Sequence, residues 1–252
     1  MSGNVILFYD IPSQLKPSQA WSPNTLKTRI MLNYKGLPYK TVWVESPDIE
    51  AVSKEVGVAP IIIQANGQPL YTLPAIHDPA TGTTLSDSLK IAAYLDAQYP
   101  DTPKLISPDT VGLHDAFSFA LEAALDAVWA FILPATNNVL NPKSEEYFRR
   151  TREKDFGKRL EDVVPAGEEG KKEWAKVKTG FNSIEKWIIK GGGEFVTGNT
   201  VSFADVIIAS FLLWFKRVWG ETSQEWKDIS SWNEGRWVKR LQTFEKYFSE
   251  DN

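Results

Sequence analysis

The first hundred residues alternate between short apolar runs and amphipathic stretches. Val5–Ile11 (VILFYDI) packs branched and aromatic residues into one run, as a buried parallel strand does. After a loop containing Pro and Ser, Pro12–Trp21, the string SPNTLKTRIMLNYKG predicts a helix. Leu26, Ile30 and Leu37 fall near one face, and Gly36 stands where such a helix stops. Tyr39–Glu45 (YKTVWVE) predicts a second strand and Asp48–Val56 a weak helix. Ile61–Ile63 is compatible with a strand or a buried turn. Ala75–His77 and Thr84–Leu85 flank the sequence DPATG, which predicts a β-hairpin. Ser86–Tyr99 then predicts a helix with Leu89, Ala92, Ala93 and Leu95 facing inward, ended by Pro100 and Pro103. The order β-α-β-α-β-β-α describes an α/β domain that closes near residue 99.

Beyond the proline-rich linker the period changes to helical throughout. Val111–Val139 carries Phe117, Leu121, Leu125, Val128 and Ile132 at helical spacing and predicts one helical stretch. Ser144–Leu160 is charged and amphipathic, and Lys171–Ile189 places Trp174, Val177, Phe181, Ile184 and Ile188 on one stripe. GGGEFVTGNTV predicts a loop. SFADVIIASFLLWFKRVW opens on Ser202 and Asp205 in a capping arrangement, the serine covering free amides and the carboxylate sitting in the positive first turn. That segment is apolar nearly all round, so it is expected at the centre of its domain. Gly235–Phe248 predicts a final helix. The expected organisation is an α/β domain at 1–99 and an all-α domain at 108–252, without internal repeats.

Composition narrows the chemistry. The length of 252 residues suits two domains. There is no cysteine, which excludes disulfides, thiolate metal sites and a cysteine nucleophile, and no metal site is expected. The two histidines, His77 and His114, sit in no triad-like motif. A net charge of −4 carries no electrostatic footprint for nucleic acid. Met1–Asp10 has no charged leader followed by a long apolar stretch, and no segment is long enough to span a bilayer. The expectation is a cytoplasmic protein with neither nucleic-acid nor membrane partners. Of the ten tryptophans, eight lie after residue 100, either as a stacking pocket or as a ring-rich core.

Three local features carry candidate chemistry. Ser22-Pro23-Asn24 opens the first helix, where unpaired N–H groups and a partial positive charge stabilise anions such as thiolates; the plainer reading of Ser22 is a helix cap. Leu73-Pro74-Ala75 precedes a hairpin strand, where a cis bond would leave the Leu73 N–H and C=O free for an extended peptide. Pro60 competes for that role. Ser86-Asp87-Ser88 opens the last helix of the domain with a hydroxyl, a carboxylate and free amides, suited to an α-carboxylate and an α-ammonium, or to capping alone.

The order of these features resembles the glutathione transferases: a strand, Ser-Pro at a helix start, Thr28-Arg29, KGLPY, a Leu-Pro-Ala-Ile strand and a Ser-Asp-Ser helix start. The Val-Ser-Phe-Ala-Asp string after Thr197-Gly198-Asn199 is similar to that family's helical-domain capping box. The long loop Pro12–Trp21 with SPNTLKTR and VWVESPDIE resembles the etherase-related class (FuA) of wood-decay fungi, itself similar to bacterial lignin β-etherases. The resemblance implies a thioredoxin-like N-terminal domain followed by a helical C-terminal domain, and glutathione as co-substrate. It implies that Ser22, in place of a cysteine, hydrogen-bonds the glutathione sulfur, with Asn24 a second polar contact. Leu73, before a cis Pro74, would pair with the cysteinyl backbone, and Asp87 and Ser88 would hold the γ-glutamyl end. Gly57–Tyr71 is longer than in most classes and leaves the glycyl carboxylate unassigned. The second substrate is expected to be a flat aromatic molecule between Trp21 and a helix carrying Phe117, Phe119 and Trp129. The implied activities are conjugation or β-aryl ether cleavage, with an aromatic carrier of little turnover as the alternative, in a homodimer.

Overall fold

Branched and aromatic residues make the central strand of the first domain, and the helix that follows is buried on almost every side. The structure is a computed structural model and describes residues 5–250; the outer ends of the two expected domains, 1–4 and 251–252, lie outside the described residues. The first domain contains β1 (Ile6–Asp10), α1 (Pro23–Lys35), β2 (Tyr39–Trp43), α2 (Ile49–Glu55), β3 (Ile62–Ile63), β4 (Pro69–Leu70), β5 (Ala75–Asp78), β6 (Thr83–Ser86) and α3 (Ser88–Gln98). Its main sheet has the order β2-β1-β5-β6. β1 runs parallel to β2, with Phe8 opposite Thr41, and antiparallel to β5, with Tyr9 opposite Ala75. This mixed sheet, built from a βαβ unit and a hairpin-plus-helix, is the thioredoxin-like arrangement.

Leu26, Ile30, Met31 and Leu32 of α1 are each at 0 % exposure, because the helix is packed between the sheet and a helix of the second domain. Gly36 ends it in the left-handed conformation (φ 65°), with its N–H returned to the carbonyls of Leu32 and Asn33. Ile61–Ile63 is not a buried turn: β3 pairs with β4 as a separate ribbon, and Ile62 and Ile63 face solvent.

The second domain contains α4 (Val111–Ala124), α5 (Trp129–Asn137), α6 (Pro142–Phe156), α7 (Gly167–Lys190), α8 (Phe203–Trp219), α9 (Gln224–Ser231) and α10 (Arg236–Thr243). The single helical stretch expected over Val111–Val139 is broken. A 3-10 turn at Asp126–Val128 separates α4 from α5, and the two are bent by 54°. No single helix among the described residues is long and apolar enough to cross a membrane. The helix expected over Gly235–Phe248 is α10 followed by a 3-10 turn at Glu245–Tyr247.

α8 occupies the centre of the domain, as its all-round apolar surface requires, and fourteen of its residues are buried. Its cap is the expected capping box, the Ser202 side chain accepting from the Asp205 amide and the Asp205 carboxylate from the Ser202 amide. The Ser202 hydroxyl also donates to Asp205 Oδ2 at 2.7 Å. Asp205 also accepts from the amides of Ser202 (2.9 Å) and Val196 (2.8 Å). Burial raises the Asp205 pKa against the pull of these donors. The domains are joined through α1 against α8 and through a linker held by Asp96. Asp96 accepts from the amides of Leu105 and Ile106 and pairs with buried Lys35 at 2.6 Å.

Candidate active site

The N-terminus of α1 opens into a cleft of about 820 Å³ between the two domains. Ser22 stands at the cap position in an extended conformation (φ −66°, ψ 126°), and Pro23 opens the helix. Proline fits there because the first-turn amide it lacks would be unpaired anyway. Serine at this position ordinarily accepts from a first-turn amide. Here the Ser22 side chain makes no capping hydrogen bond, and Ser22 lines the cleft. Its backbone carbonyl takes the structural work, accepting from Leu26 N at 2.9 Å and Thr25 Oγ1 at 3.2 Å. The plainer reading of Ser22 as a side-chain cap therefore does not describe this helix.

Asn24 also lines the cleft and is exposed. Its Oδ1 accepts from Lys27 Nζ at 3.0 Å, which commits the oxygen and leaves the amide nitrogen to donate. Lys27 is buried one turn into α1, and desolvation lowers its pKa, with Glu122 and Asp87 opposing. Lys27 does not line the cleft but holds the Asn24 side chain there, and the helix N-terminus favours a bound anion.

Leu73 lines the adjacent wall, and the Leu73–Pro74 bond is cis; the other cis bond among the described residues is Lys16–Pro17, so Pro60 does not share the geometry. Among the described residues, Leu73 makes no backbone hydrogen bond outside regular elements. Asp87 and Ser88 lie at the start of α3 and do not line the cleft. Asp87 adopts a positive φ of 83°, unusual for a residue with a Cβ. Its Oδ1 caps α3 by accepting from Leu89 N (2.9 Å) and Lys90 N (3.2 Å). The capping role is real here, and the second carboxylate oxygen remains for another partner.

The aromatic wall is only partly the one expected. Trp21 and Trp129 line the cleft, Trp21 edge-on to Phe148 at 6.3 Å and Trp129 against Trp214 at 5.6 Å. Phe117 and Phe119 do not. Phe117 packs edge-on to Trp187 at 6.2 Å, and Phe119 is 69 % exposed. Trp129 stands beyond the bend, on α5, and Phe119 lies on the solvent face of α4. Their places are taken by Tyr147 and Phe148 of α6 and by Phe211 and Trp214 of α8. Sequence spacing marked Phe148 only as part of a charged amphipathic helix and Trp214 only as core, so neither carried a signal of its own. Gln64, Asn66 and Gln68 of the β3–β4 ribbon complete the rim with side-chain amides. Most of the remaining tryptophans form the second reading of that composition, a ring-rich core: Trp174 alone contacts Phe131, Trp219 and Trp232.

Comparison with known proteins bears on the family and the fold. The model of the glutathione S-transferase N-terminal domain matches residues 21–98, and that of the C-terminal domain matches residues 112–247. A glutathione S-transferase of Ceriporiopsis subvermispora, crystallised with glutathione, is 53 % identical, with a TM-score of 0.93 over 98 % of each chain. Glutathione transferase GSTFuA3 from Phanerochaete chrysosporium is 38 % identical, with a TM-score of 0.92 over the whole of both chains. The β-etherase LigF of Sphingobium sp. strain SYK-6 shares the fold at 17 % identity and a TM-score of 0.55, over 95 % of this chain and 93 % of its own.

Proposed function

The chain belongs to the glutathione S-transferase family, and from that membership we propose that Ser22 activates the thiol of bound glutathione for attack on an aromatic electrophile. The observation that carries this reading is the uncapped Ser22 hydroxyl at the open end of α1. A cysteine-like thiol titrates near pH 8.5, and each unit of lowering needs about 1.4 kcal/mol of preference for the thiolate. A hydroxyl donor, the Asn24 amide and the helix end together supply about one to two units, since each is worth roughly a kilocalorie. In this reading Leu73 offers its free N–H and C=O to the cysteinyl backbone, beside Pro74. Asp87 takes the γ-glutamyl ammonium in a charge-assisted bond, and Ser88 takes the carboxylate at the start of α3.

The second substrate lies against Trp21, Trp129, Phe148, Phe211 and Trp214, a wall that favours flat aryl groups. In conjugation the sulfur forms a bond to an electrophilic carbon and expels its leaving group. With a β-aryl ether the new bond is C–S, the bond broken is C–O, and the aryloxide leaves; no redox step is involved. Because the ring wall can hold an aryl group whether or not the sulfur reacts, the same site also suits an aromatic carrier that turns little over. The test is the thiolate titration of bound glutathione by ultraviolet absorbance, with wild type and Ser22→Ala, followed by assays on aryl halides and β-aryl ethers. The expected result is a titration about one unit higher in Ser22→Ala. An unchanged titration refutes the assignment of Ser22, and tight aryl binding without glutathione-dependent product selects the carrier. The active species in this reading is a homodimer, since symmetric pairing is the usual outcome for soluble chains; a monomeric mass by light scattering refutes it.

A further inference from the structure

Ser22 lies outside the regular turns of α1, so its direction is set by the chain that leads into it. That chain is held from the second domain at several points: Gln14 donates to the carbonyls of Val139 and Leu140, and closest to Ser22 both backbone groups of Ala20 are bound. Ala20, at 0 % exposure, donates its N–H to Glu250 Oε1 at 2.9 Å, and its C=O accepts from the Arg217 guanidinium. Ser18 Oγ donates to the same Glu250 oxygen. Glu250 is itself fixed: its backbone carbonyl accepts from Arg29 Nη1 at 2.5 Å and Thr41 Oγ1 at 3.3 Å. The preceding carbonyl, of Ser249, accepts from Asn33 Nδ2 at 2.9 Å and Tyr39 Oη at 3.1 Å.

We propose that Arg217 and Glu250 are positioning residues for the reaction: opposite charges from α8 and the C-terminal segment clamp both backbone groups of Ala20 and so aim the Ser22 hydroxyl at the glutathione sulfur. The proposal rests on the reading of Ser22 given above. Its physical support is the cost of the arrangement. Arg217 is half-buried, and desolvation lowers its pKa to about 10, with Glu250 the main group holding it up. An apolar contact would anchor the loop without that cost, whereas hydrogen bonds from two charged groups fix orientation as well as proximity. A misplacement of about 1 Å between reacting groups costs on the order of a hundredfold in rate, so orientation at this residue matters.

The experiment uses the full chain with Glu250→Ala, Glu250→Gln and Arg217→Lys, each alone and Glu250→Ala also in the Ser22→Ala background. Three quantities are read: glutathione affinity by calorimetry, the thiolate pKa of bound glutathione, and the pH profile of kcat with an aryl electrophile. Glu250→Ala is expected to raise the thiolate pKa by about half a unit and shift the kcat profile by the same amount. Glutathione affinity should stay within about twofold, since the γ-glutamyl and cysteinyl contacts lie elsewhere. Glu250→Gln and Arg217→Lys, which keep an acceptor and a donor, should restore most of the wild-type value. In the Ser22→Ala background Glu250→Ala should add nothing to the pKa. A Glu250→Ala protein that folds, binds glutathione and titrates as wild type overturns the clamp while leaving Ser22 as activator. An additional shift in the Ser22→Ala background also overturns it. Failure of Ser22→Ala to move the titration at all refutes the underlying reading first, and the clamp with it.

Discussion

Removing the guanidinium of Arg29 should cost the protein a large part of its stability. Arg29 and Asp10 form an ion pair at 2.8 Å with both side chains at 0 % exposure. The guanidinium also donates to Thr41 Oγ1 (3.2 Å), Tyr39 Oη (3.2 Å) and the Glu250 carbonyl, and it lies 5.1–5.7 Å from the rings of Phe8, Trp43 and Tyr39. In Arg29→Met the Thr41–Glu250 and Tyr39–Ser249 hydrogen bonds survive. Asp10 does not fare so well. It keeps the Ile11 amide at 2.7 Å on Oδ1, while Oδ2 loses its partner in a site without solvent. Breaking a buried pair from one side costs about 3–5 kcal/mol, against a total stability of about 5–15 kcal/mol for a folded protein. Urea unfolding at pH 7, followed by tryptophan fluorescence, measures the loss. Arg29→Met combined with Asp10→Leu should recover most of it, because neither charge is then stranded. The exposed pair Lys54–Glu50, each side chain at 55 % exposure, provides the control: Lys54→Met should leave stability close to that of the wild type. A loss below about 1 kcal/mol in Arg29→Met, or a double variant as unstable as the sum of the two single changes, refutes the reasoning.

Trp129→Ala should weaken binding of an aryl ligand about tenfold or more, through lost ring contact and area, whereas Phe119→Ala, at the solvent face, should leave it unchanged; fluorescence titration checks both, and equal effects would contradict the described cleft. His114 is buried edge-on to Phe203 at 6.0 Å, and desolvation lowers its pKa from the usual 6.5, with Asp96 opposing. Its contribution is therefore complete above about pH 6.5 and is lost as pH falls through the lower folded value, because the unfolded chain binds the proton first. Wild type should lose more stability than His114→Leu between pH 7 and pH 5.5, by up to about 1.4 kcal/mol per unit over the window; parallel slopes would show that His114 takes no part.

The strand-and-helix order of the first domain, the helix start at Ser22, the hairpin after Pro74 and the central position of α8 were all legible before any coordinates. Each depends on interactions within a few residues: alternation or helical spacing of apolar side chains, a proline at the first helical position, and turn residues at DPATG. The resemblance of their order supplied the family. What spacing could not supply was the phase of one helix against another. Phe117, Phe119 and Trp129 looked like one wall because Val111–Val139 looked like one helix. The turn at Asp126–Val128 and its 54° bend separate them: Trp129 enters the cleft, and Phe119 meets water. Phe148, Phe211 and Trp214 reach the cleft from two other helices, and their apolar character reads the same whether they face a ligand or a core. The same limit applies to the state of individual polar groups. Ser22 and Ser202 are both serines at helix starts, yet only Ser202 takes part in a capping box, while Ser22 lines the cleft without capping its helix. Glu250, some 230 positions from Ser18 and Ala20, carries no local mark of its role. Hydrogen bonds across such a separation exist only once the domains are packed, so tertiary structure alone decided what holds the chain leading to Ser22.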